Sequence, residues 1–222
     1  MNFPFELDHL TIITRVDAPE AQALEEIGLA RFGGVTSLAG LGASSTSFFF
    51  ANAYLELFWA HDIELAAQKI LPLGLDLDAR ARWHATYESP FGLMLRRKNP
   101  DAVIPFATKK LKAEWMPGET WLDFNSEFPA EPYYGVLPDS LSYPAFYDSI
   151  LVKAHPLGVQ KITGVRIGVI SEAVSPIAQM LATAGIAHIA PAPFANLEIE
   201  FDYGAQGEAI NLRPELPLVL KY

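Results

Sequence analysis

The chain has no cysteine among its 222 residues. This absence excludes disulfide bonds, thiolate metal sites and cysteine nucleophiles. Basic residues are also few: 16 lysines and arginines stand against 26 aspartates and glutamates, which gives a formal net charge of −10. A protein with this balance has no basic stripe that neutralises phosphates, so we expect no nucleic acid among its partners.

Long apolar runs and nucleotide-binding motifs are absent as well. No segment reaches the roughly 18 consecutive apolar residues of a membrane helix, so we expect no membrane partner. The N-terminal residues lack the basic region and apolar run of a signal peptide, and we therefore expect a cytoplasmic protein. There is no phosphate loop, dinucleotide fingerprint or Gly-x-Ser-x-Gly motif, which predicts that no nucleotide serves as a cofactor.

Apolar periodicity predicts an ordered series of strands and helices that form one compact globular unit. Residues 1–60 predict a first βαβββ module, with a strand over 7–13, a helix from Pro19 to Gly28 and a hairpin over 44–59. Residues 61–155 predict a connector and a poorly marked middle βαββ unit, whose helix falls at 101–112. Residues 156–222 predict a C-terminal βαβββ module that ends in a hairpin over 197–212 and an edge strand over 216–221.

An internal repeat links the first module to the last. Residues 18–30 align without gaps to residues 175–187, and six of these thirteen positions are identical. The shared preference of helices for an early proline and a final glycine explains two of the matches, so the others favour a duplication. At the same offset His9 aligns with Arg166, and the closing strands align Glu56 with Asn211. The repeat thus predicts four polar side chains that face a ligand.

Glu56 stands out because it interrupts an apolar strand. Strand residues alternate between faces, so Tyr54, Glu56 and Phe58 share one face. A buried carboxylate must be paired, hydrogen-bonded or bound to a cation, and this face suits the wall of a ligand cavity. Half-buried antiparallel sheets are common, which leaves open the alternative that Glu56 faces solvent.

The chain resembles the glyoxalase-like branch of the vicinal oxygen chelate (VOC) superfamily. The resemblance rests on Asp8-His9-Leu10 in the first strand, a helix that ends at glycine, and the closing strand Tyr54-Leu55-Glu56-Leu57. It covers the first 60 and the last 70 residues. It implies an α+β fold in which repeated β-α-β-β-β modules form a cup-shaped, mostly antiparallel sheet with helices on the outer face.

The resemblance also implies a metal site and a reaction. His9 and Glu56 match two ligand positions for one divalent ion, with Zn, Fe, Mn, Ni and Mg not distinguished. Glu56 would be the catalytic group of a metal-assisted lyase, isomerase or dioxygenase that acts on a small oxygenated substrate, with or without a carboxylate. The second ligand pair is missing, because Arg166 and Asn211 occupy its positions in the repeat. Three further residues are candidates to complete the site: His84, Glu88 and His155.

The expected substrate-binding residues are those that share the predicted cavity face: Thr11, Tyr54, Phe58, Arg166 and Asn211. The Arg166 guanidinium either grips a substrate carboxylate or pairs with Glu56 and leaves no metal. The missing ligand pair motivates an alternative function, a non-catalytic protein of the same fold that binds or sequesters a small molecule. Closed symmetric dimers are common, so an apolar sheet face that serves a homodimer is a further alternative.

Overall fold

The structure is a computed structural model that describes residues 3–143 and 154–222. Its strands form two sheets, one of eight strands and one of five. The predicted α+β class, with a cupped sheet and helices outside it, is confirmed. No helix in the described ranges has the length and apolar character that crossing a membrane requires.

The eight-stranded sheet is built by the first module and the middle unit together. Its strand order is β2-β3-β4-β1-β5-β8-β7-β6. The first module comprises β1 (Phe5–Ile13), α1 (Glu20–Glu26), β2 (Phe32–Leu38), β3 (Ala43–Phe49) and β4 (Tyr54–Ala60). The middle unit comprises β5 (Phe91–Arg97), β6 (Lys109–Leu111), β7 (Leu122–Asn125) and β8 (Tyr133–Val136).

The two units are arranged alike around their shared boundary. β1 pairs in parallel with β4, β5 pairs in parallel with β8, and β1 and β5 are antiparallel neighbours. The predicted βαββ order of the middle unit is wrong: residues 101–112 form no helix, and their last part forms β6. Lys109 and Lys110 hold that edge strand through backbone pairing with β7, a non-local contact that helix spacing does not reveal.

The connector between the units is helical and covers one side of the sheet. It comprises α2 (Ile63–Lys69), a 3-10 turn (Leu71–Leu73), α3 (Leu77–Ala81) and α4 (Trp83–Thr86). Aspartates cap α2 and α3, since the Asp62 and Asp76 side chains accept hydrogen bonds from backbone N–H groups three residues on. Ile70 and Leu75 of this segment pack with Phe58 and Phe124, which belong to the concave face of the eight-stranded sheet.

The C-terminal unit forms the second sheet. Its elements are β9 (Ile162–Val169), α5 (Pro176–Thr183), β10 (His188–Pro191), β11 (Asn196–Phe201), β12 (Ala209–Asn211) and β13 (Leu218–Lys221). The order is β10-β9-β11-β13-β12. β13 therefore lies inside the sheet and β12 at its edge, which corrects the predicted 197–212 hairpin and the predicted edge strand over 216–221. Burial explains the difference, because Leu218 and Leu220 are fully buried whereas Asn211 is exposed.

The predicted likeness of the first and last modules stops at their β-α portions. In the first module the strand after the helix, β2, lies at the sheet edge three places from β1, whereas in the last module β10 pairs directly with β9. The aligned segments fix a helix start, an apolar helix face and a helix end. They do not fix which strands pair, because pairing depends on residues outside the aligned window.

The main core lies between the back of the eight-stranded sheet and the second sheet. One continuous apolar cluster joins both sheets to both helices, through Leu10, Leu55, Leu24, Leu181, Ile167 and Leu197. A buried carboxylate ties the same layers together. Glu131, which precedes β8, accepts hydrogen bonds from the Tyr134 hydroxyl at 2.7 Å and from the Ser175 hydroxyl, the N-cap of α5, at 2.7 Å.

Candidate functional site

The concave side of the eight-stranded sheet, which we call the cup, encloses a cavity of about 330 Å³. Most of its wall is apolar, with Leu38, Leu41, Ile70, Leu75, Met116 and Leu122 among the lining residues. Polar side chains concentrate on β1, β3 and β4, where His9, Ser45, Ser47 and Glu56 line the cavity. This combination of an apolar wall and a few convergent polar groups is typical of small-molecule sites.

A β-bulge places two consecutive side chains of β1 together. The β1–β5 register pairs Leu7 with Leu95 and His9 with Met94, so Asp8 is an extra residue on β1. Consecutive side chains of a regular strand point to opposite faces, and a bulge relaxes that rule. As a result, Asp8 Oδ1 lies 2.7 Å from His9 Nδ1. The Asp8 carboxylate is fully buried, and its Oδ2 accepts a hydrogen bond from the Tyr143 backbone N–H at 2.7 Å.

Glu56 lies on the neighbouring parallel strand and completes a row of polar groups. Its Oε2 lies 3.7 Å from His9 Nε2 and accepts a hydrogen bond from the Thr11 hydroxyl at 3.3 Å. The Glu56 side chain is 16% exposed and lines the cup cavity. Asp8, His9, Glu56 and Thr11 form a row that we call the polar floor, and of these four residues His9 and Glu56 line the cavity. Glu56 therefore belongs to the cavity wall rather than to an open solvent face.

Aromatic rings surround this polar floor. The Tyr54 ring stacks on the His9 imidazole with a centroid distance of 4.2 Å, and Phe58 lines the cavity further along β4. Tyr133 of β8 also lines the cavity. Burial and the nearby Glu56 charge raise the pKa of Tyr133 and of Tyr54, because both disfavour the phenolate. Both phenols therefore stay protonated at neutral pH.

The middle unit contributes bulk rather than ligands to its half of the cup. Met94 and Tyr133 occupy the space in front of two glycines. A Cβ on Gly135 would lie 2.2 Å from Met94 Cε, and a Cβ on Gly92 would lie 2.2 Å from Tyr133 Cζ. These cup-facing positions of β5 and β8 carry no imidazole or carboxylate, so the middle unit supplies no second ligand pair.

The described side chains do not fit a resident divalent metal. Catalytic zinc sites typically use three protein ligands, and residues 3–143 and 154–222 contain no group of three or more His, Asp or Glu side chains placed to hold an ion. His9 and Glu56 are two donors, and the near oxygen of Asp8 is engaged by the other His9 nitrogen. We therefore derive no step through a metal.

The three residues considered for completing a metal site lie elsewhere. His155 accepts a hydrogen bond at Nδ1 from the Ala30 N–H at 2.9 Å, and its Nε2–H donates a hydrogen bond to the Phe49 carbonyl. His84 stacks on Trp83 and lines a separate cavity. Glu88 lies 3.8 Å from the Arg80 guanidinium. None of them lines the cup cavity.

The expectation that Arg166 and Asn211 share this cavity needs correction. Arg166 lies on β9 of the second sheet, where its side chain is 70% exposed and 3.6 Å from Glu198. It therefore does not pair with Glu56. Asn211 is exposed on the edge strand β12, where its side-chain oxygen accepts a hydrogen bond from Arg213 Nε. The alignment that linked these residues to His9 and Glu56 assumed equal strand pairing in the two modules, and the pairing differs.

The structure brings together five of the predicted site residues, namely His9, Thr11, Tyr54, Glu56 and Phe58. Sequence reasoning missed Asp8 and Met94. Asp8 stands next to His9 in the quoted motif, but strict alternation assigned it to the opposite face. No sequence signal marked Met94 as a cavity residue, because it faces the cup only through the pairing of β5 with its neighbours β1 and β8.

Comparisons with known proteins bear on the fold. No protein-family model matches the chain, and no curated protein matches it in sequence. A hypothetical protein from Staphylococcus aureus matches in structure with a TM-score of 0.53 and 12% identity, over 98% of this chain and 99% of that chain. A mutant of 4-hydroxymandelate synthase from Streptomyces coelicolor matches with a TM-score of 0.44 and 12% identity, over 98% of this chain and 62% of that chain. At these identities the first match shows a shared fold, and neither identifies a reaction.

Proposed function

We propose that the protein is a VOC-type cup that binds one small molecule with a mainly apolar body and a single polar end. The observation that carries this proposal is the enclosed apolar cavity whose polar groups converge on His9 and Glu56. The arrangement of the eight-stranded sheet, with two units related across β1 and β5, supports placing the chain in the superfamily that the sequence resembles.

The cavity dimensions set the size of the ligand. A volume of about 330 Å³ lies at the lower end of the range for small-molecule pockets, so the ligand is the size of one or two rings with a short chain. The apolar wall would supply most of the binding free energy through burial. The polar floor would fix the orientation, because a buried polar group left unpaired costs free energy.

A neutral fluorescent probe tests this proposal. N-Phenyl-1-naphthylamine is apolar, fits the volume and brightens when it leaves water. We expect saturable binding with one probe per chain. Ser47 lies on β3 beside Glu56 and lines the cavity, so Ser47→Phe should fill the site and abolish binding.

The matched control for this experiment is Ser37→Phe, which adds the same ring to an exposed position of β2. It should leave probe binding unchanged. Equal binding by wild type and both variants would mean that the probe binds elsewhere, and absence of saturable binding by the wild type would remove the proposal.

Proton transfer is a second candidate function, and the Asp8–His9 contact favours it. Carboxylate contact at Nδ1 orients the imidazole so that Nε2 faces Glu56 and the cavity, which is the arrangement of an oriented acid–base group. In this function Glu56 removes a proton from the carbon next to a carbonyl group of the ligand, and the resulting enolate then takes a proton back.

Phenylacetone in deuterated water tests proton transfer, because exchange of its acidic C–H is visible by NMR. We expect the wild type to accelerate deuterium incorporation over buffer, and Glu56→Gln to lose the acceleration. Glu198→Gln removes a carboxylate of the second sheet and should retain it. Exchange no faster than in buffer would exclude this function while leaving binding intact. The metal-assisted lyase, isomerase or dioxygenase reaction remains a separate prediction, which metal analysis tests.

A further inference from the structure

The charges around the cup are unevenly distributed. Three carboxylates follow one another along its polar end, on Glu6, Asp8 and Glu56. In the part of the chain that the structure describes, the Arg96 guanidinium is the arginine group near these carboxylates. Even when His9 carries a proton, the row keeps an excess of negative charge, and that charge lies next to a wall of low polarity where Coulomb interactions are weakly screened.

The Arg96 guanidinium is committed to the far end of this row. Its Nε donates to Glu6 at 2.8 Å, its Nη2 donates to the Asn52 carbonyl at 3.1 Å, and its Nη1 lies 3.8 Å from Asp8 Oδ2. Arg96 does not line the cavity. It therefore offsets the charges of Glu6 and Asp8, and within residues 3–143 and 154–222 it leaves the charge of Glu56 without a basic partner other than His9.

The other cations that the structure describes near the cup do not reach its interior. Arg80 lies behind the Tyr133 ring, with its guanidinium carbon 5.9 Å from the ring centroid, and it donates to the carbonyls of Ser89 and Glu131. Lys109 is exposed at the rim and donates to the Pro72 carbonyl. Among the described residues that line the cavity there is no lysine or arginine.

The polar floor offers hydrogen-bond acceptors to a ligand. A neutral His9 that donates Nδ1–H to Asp8 presents a lone pair at Nε2, and Glu56 presents a carboxylate oxygen 3.7 Å away. The Thr11 hydroxyl already donates to that oxygen. Two adjacent acceptors favour a group with several N–H donors, and the Tyr54 and Phe58 rings beside them favour a cation.

We infer that the ligand is a hydrophobic amine, whose ammonium group binds between His9 and Glu56 while its apolar body fills the cup. This inference rests on the proposed binding function and adds the charge of the ligand. It replaces the expectation of a carboxylated substrate, which depended on Arg166 facing the same cavity. A ligand carboxylate would meet Glu56 with no cation among the described lining residues.

Three probes that share a phenyl ring on a four-carbon chain separate the effect of ligand charge on affinity from the effect of ligand size. They are 4-phenylbutylamine, 4-phenylbutanol and 4-phenylbutanoate. Titration calorimetry with wild-type protein in EDTA-containing buffer at pH 7 gives their dissociation constants. We expect the amine to bind about tenfold more tightly than the alcohol, since a charge-assisted hydrogen bond contributes that order of affinity. We expect the carboxylate to bind more weakly than the alcohol.

The variant Glu56→Gln keeps the shape of the side chain and removes its charge. It should remove the preference for the amine, so that the ratio of the alcohol and amine dissociation constants falls from about ten to about one. Glu198→Gln is the control, because Glu198 lies in the second sheet with Arg166 and Lys221, and it should keep the wild-type preference. The phenyl body common to all probes reports whether the Glu56→Gln protein still has a formed cup.

The outcomes separate the inference from the proposed function. Wild-type protein that binds the carboxylate as tightly as the amine, or Glu56→Gln protein that keeps the amine preference, overturns the inference and leaves small-molecule binding in place. Failure of all three probes to bind at millimolar concentration removes the proposed function, and the inference with it.

Discussion

Asp8 and His9 are consecutive in sequence, and their side chains meet at 2.7 Å because β1 carries a bulge at Asp8. The same carboxylate accepts the Tyr143 N–H and lies near Arg96. The buried Asp8 carboxylate thus fixes both the orientation of the His9 imidazole and the position of the backbone at Tyr143. The stability of the cup should depend on this group more than on any exposed charge.

Replacement of Asp8 by alanine should destabilise the protein by about 3 kcal/mol, because removal of one partner from a buried charged network leaves the others unpaired. Urea denaturation followed by tryptophan fluorescence measures the change in the free energy of unfolding. The control is Asp101→Ala, at an exposed turn position, which should change stability by less than about 0.5 kcal/mol. A similar small effect for Asp8→Ala would show that the bulge is held without the carboxylate.

Gly92→Ala should lower the free energy of unfolding by more than the addition of one methyl group suggests. The new Cβ would lie 2.2 Å from a carbon of the Tyr133 ring, which is buried and cannot swing away freely. We expect a loss of about 2 kcal/mol from this overpacking. Gly34→Ala on β2 is a matched control, since nothing lies within 4 Å of its new Cβ. Equal melting temperatures for the two variants would contradict the close packing of Tyr133 over β5.

Stability should fall as the pH drops below about 6.5, in part because of His155. Burial lowers the pKa of His155 from the usual 6.5, although the hydrogen bond with the Phe49 carbonyl partly opposes the shift. The unfolded chain then takes up a proton at a higher pH than the folded protein. The contribution of neutral His155 to the free energy of unfolding is therefore complete above the unfolded-state pKa of 6.5. It is lost as the pH falls from there towards the lower folded-state pKa.

Denaturation curves at pH 7.5 and at pH 5.5 measure this effect. His155→Gln should show a smaller loss of stability between the two values than the wild type, because it removes the group that titrates. His188→Gln, at an exposed position of β10, should behave like the wild type. An unchanged loss in His155→Gln would assign the pH dependence to other groups.

Purified protein should retain well below one divalent ion per chain after desalting. Two donors, His9 and Glu56, bind an ion more weakly than the three protein ligands typical of catalytic zinc sites. Inductively coupled plasma mass spectrometry after loading with Zn²⁺, Mn²⁺, Fe²⁺, Ni²⁺ or Mg²⁺ measures the content. One equivalent that is retained by the wild type and lost in His9→Ala would restore the metal-assisted mechanism.

Local patterns in the sequence predicted the elements well. The strand over 7–13 and the hairpin over 44–59 were predicted close to the observed bounds. Alternation placed Glu56 on the cavity face, and the order of the first module brought it beside His9, because β1 and β4 are parallel neighbours. Strand bounds and side-chain alternation depend on residues close in the chain, for which spacing is informative.

Non-local pairing was the part that the sequence did not reveal. The first module pairs with the middle unit, although its sequence resembles that of the last module. Arg166 and Asn211 therefore lie in the other sheet, away from the site. The bulge at Asp8 depends on the register between β1 and β5, which alternation within β1 does not show. Met94 faces the cavity for the same reason, through the pairing of β5 with β1.

The second sheet covers the convex, apolar side of the cup within a single polypeptide. An uncovered face of that kind would attract another copy of the chain, and the predicted homodimer relied on such a face. Here the C-terminal 60 or so residues cover that face in place of a second subunit. The Glu131 carboxylate holds them there through its hydrogen bonds with Ser175. A homodimer, if one is measured, must therefore use a surface other than the convex face of the cup.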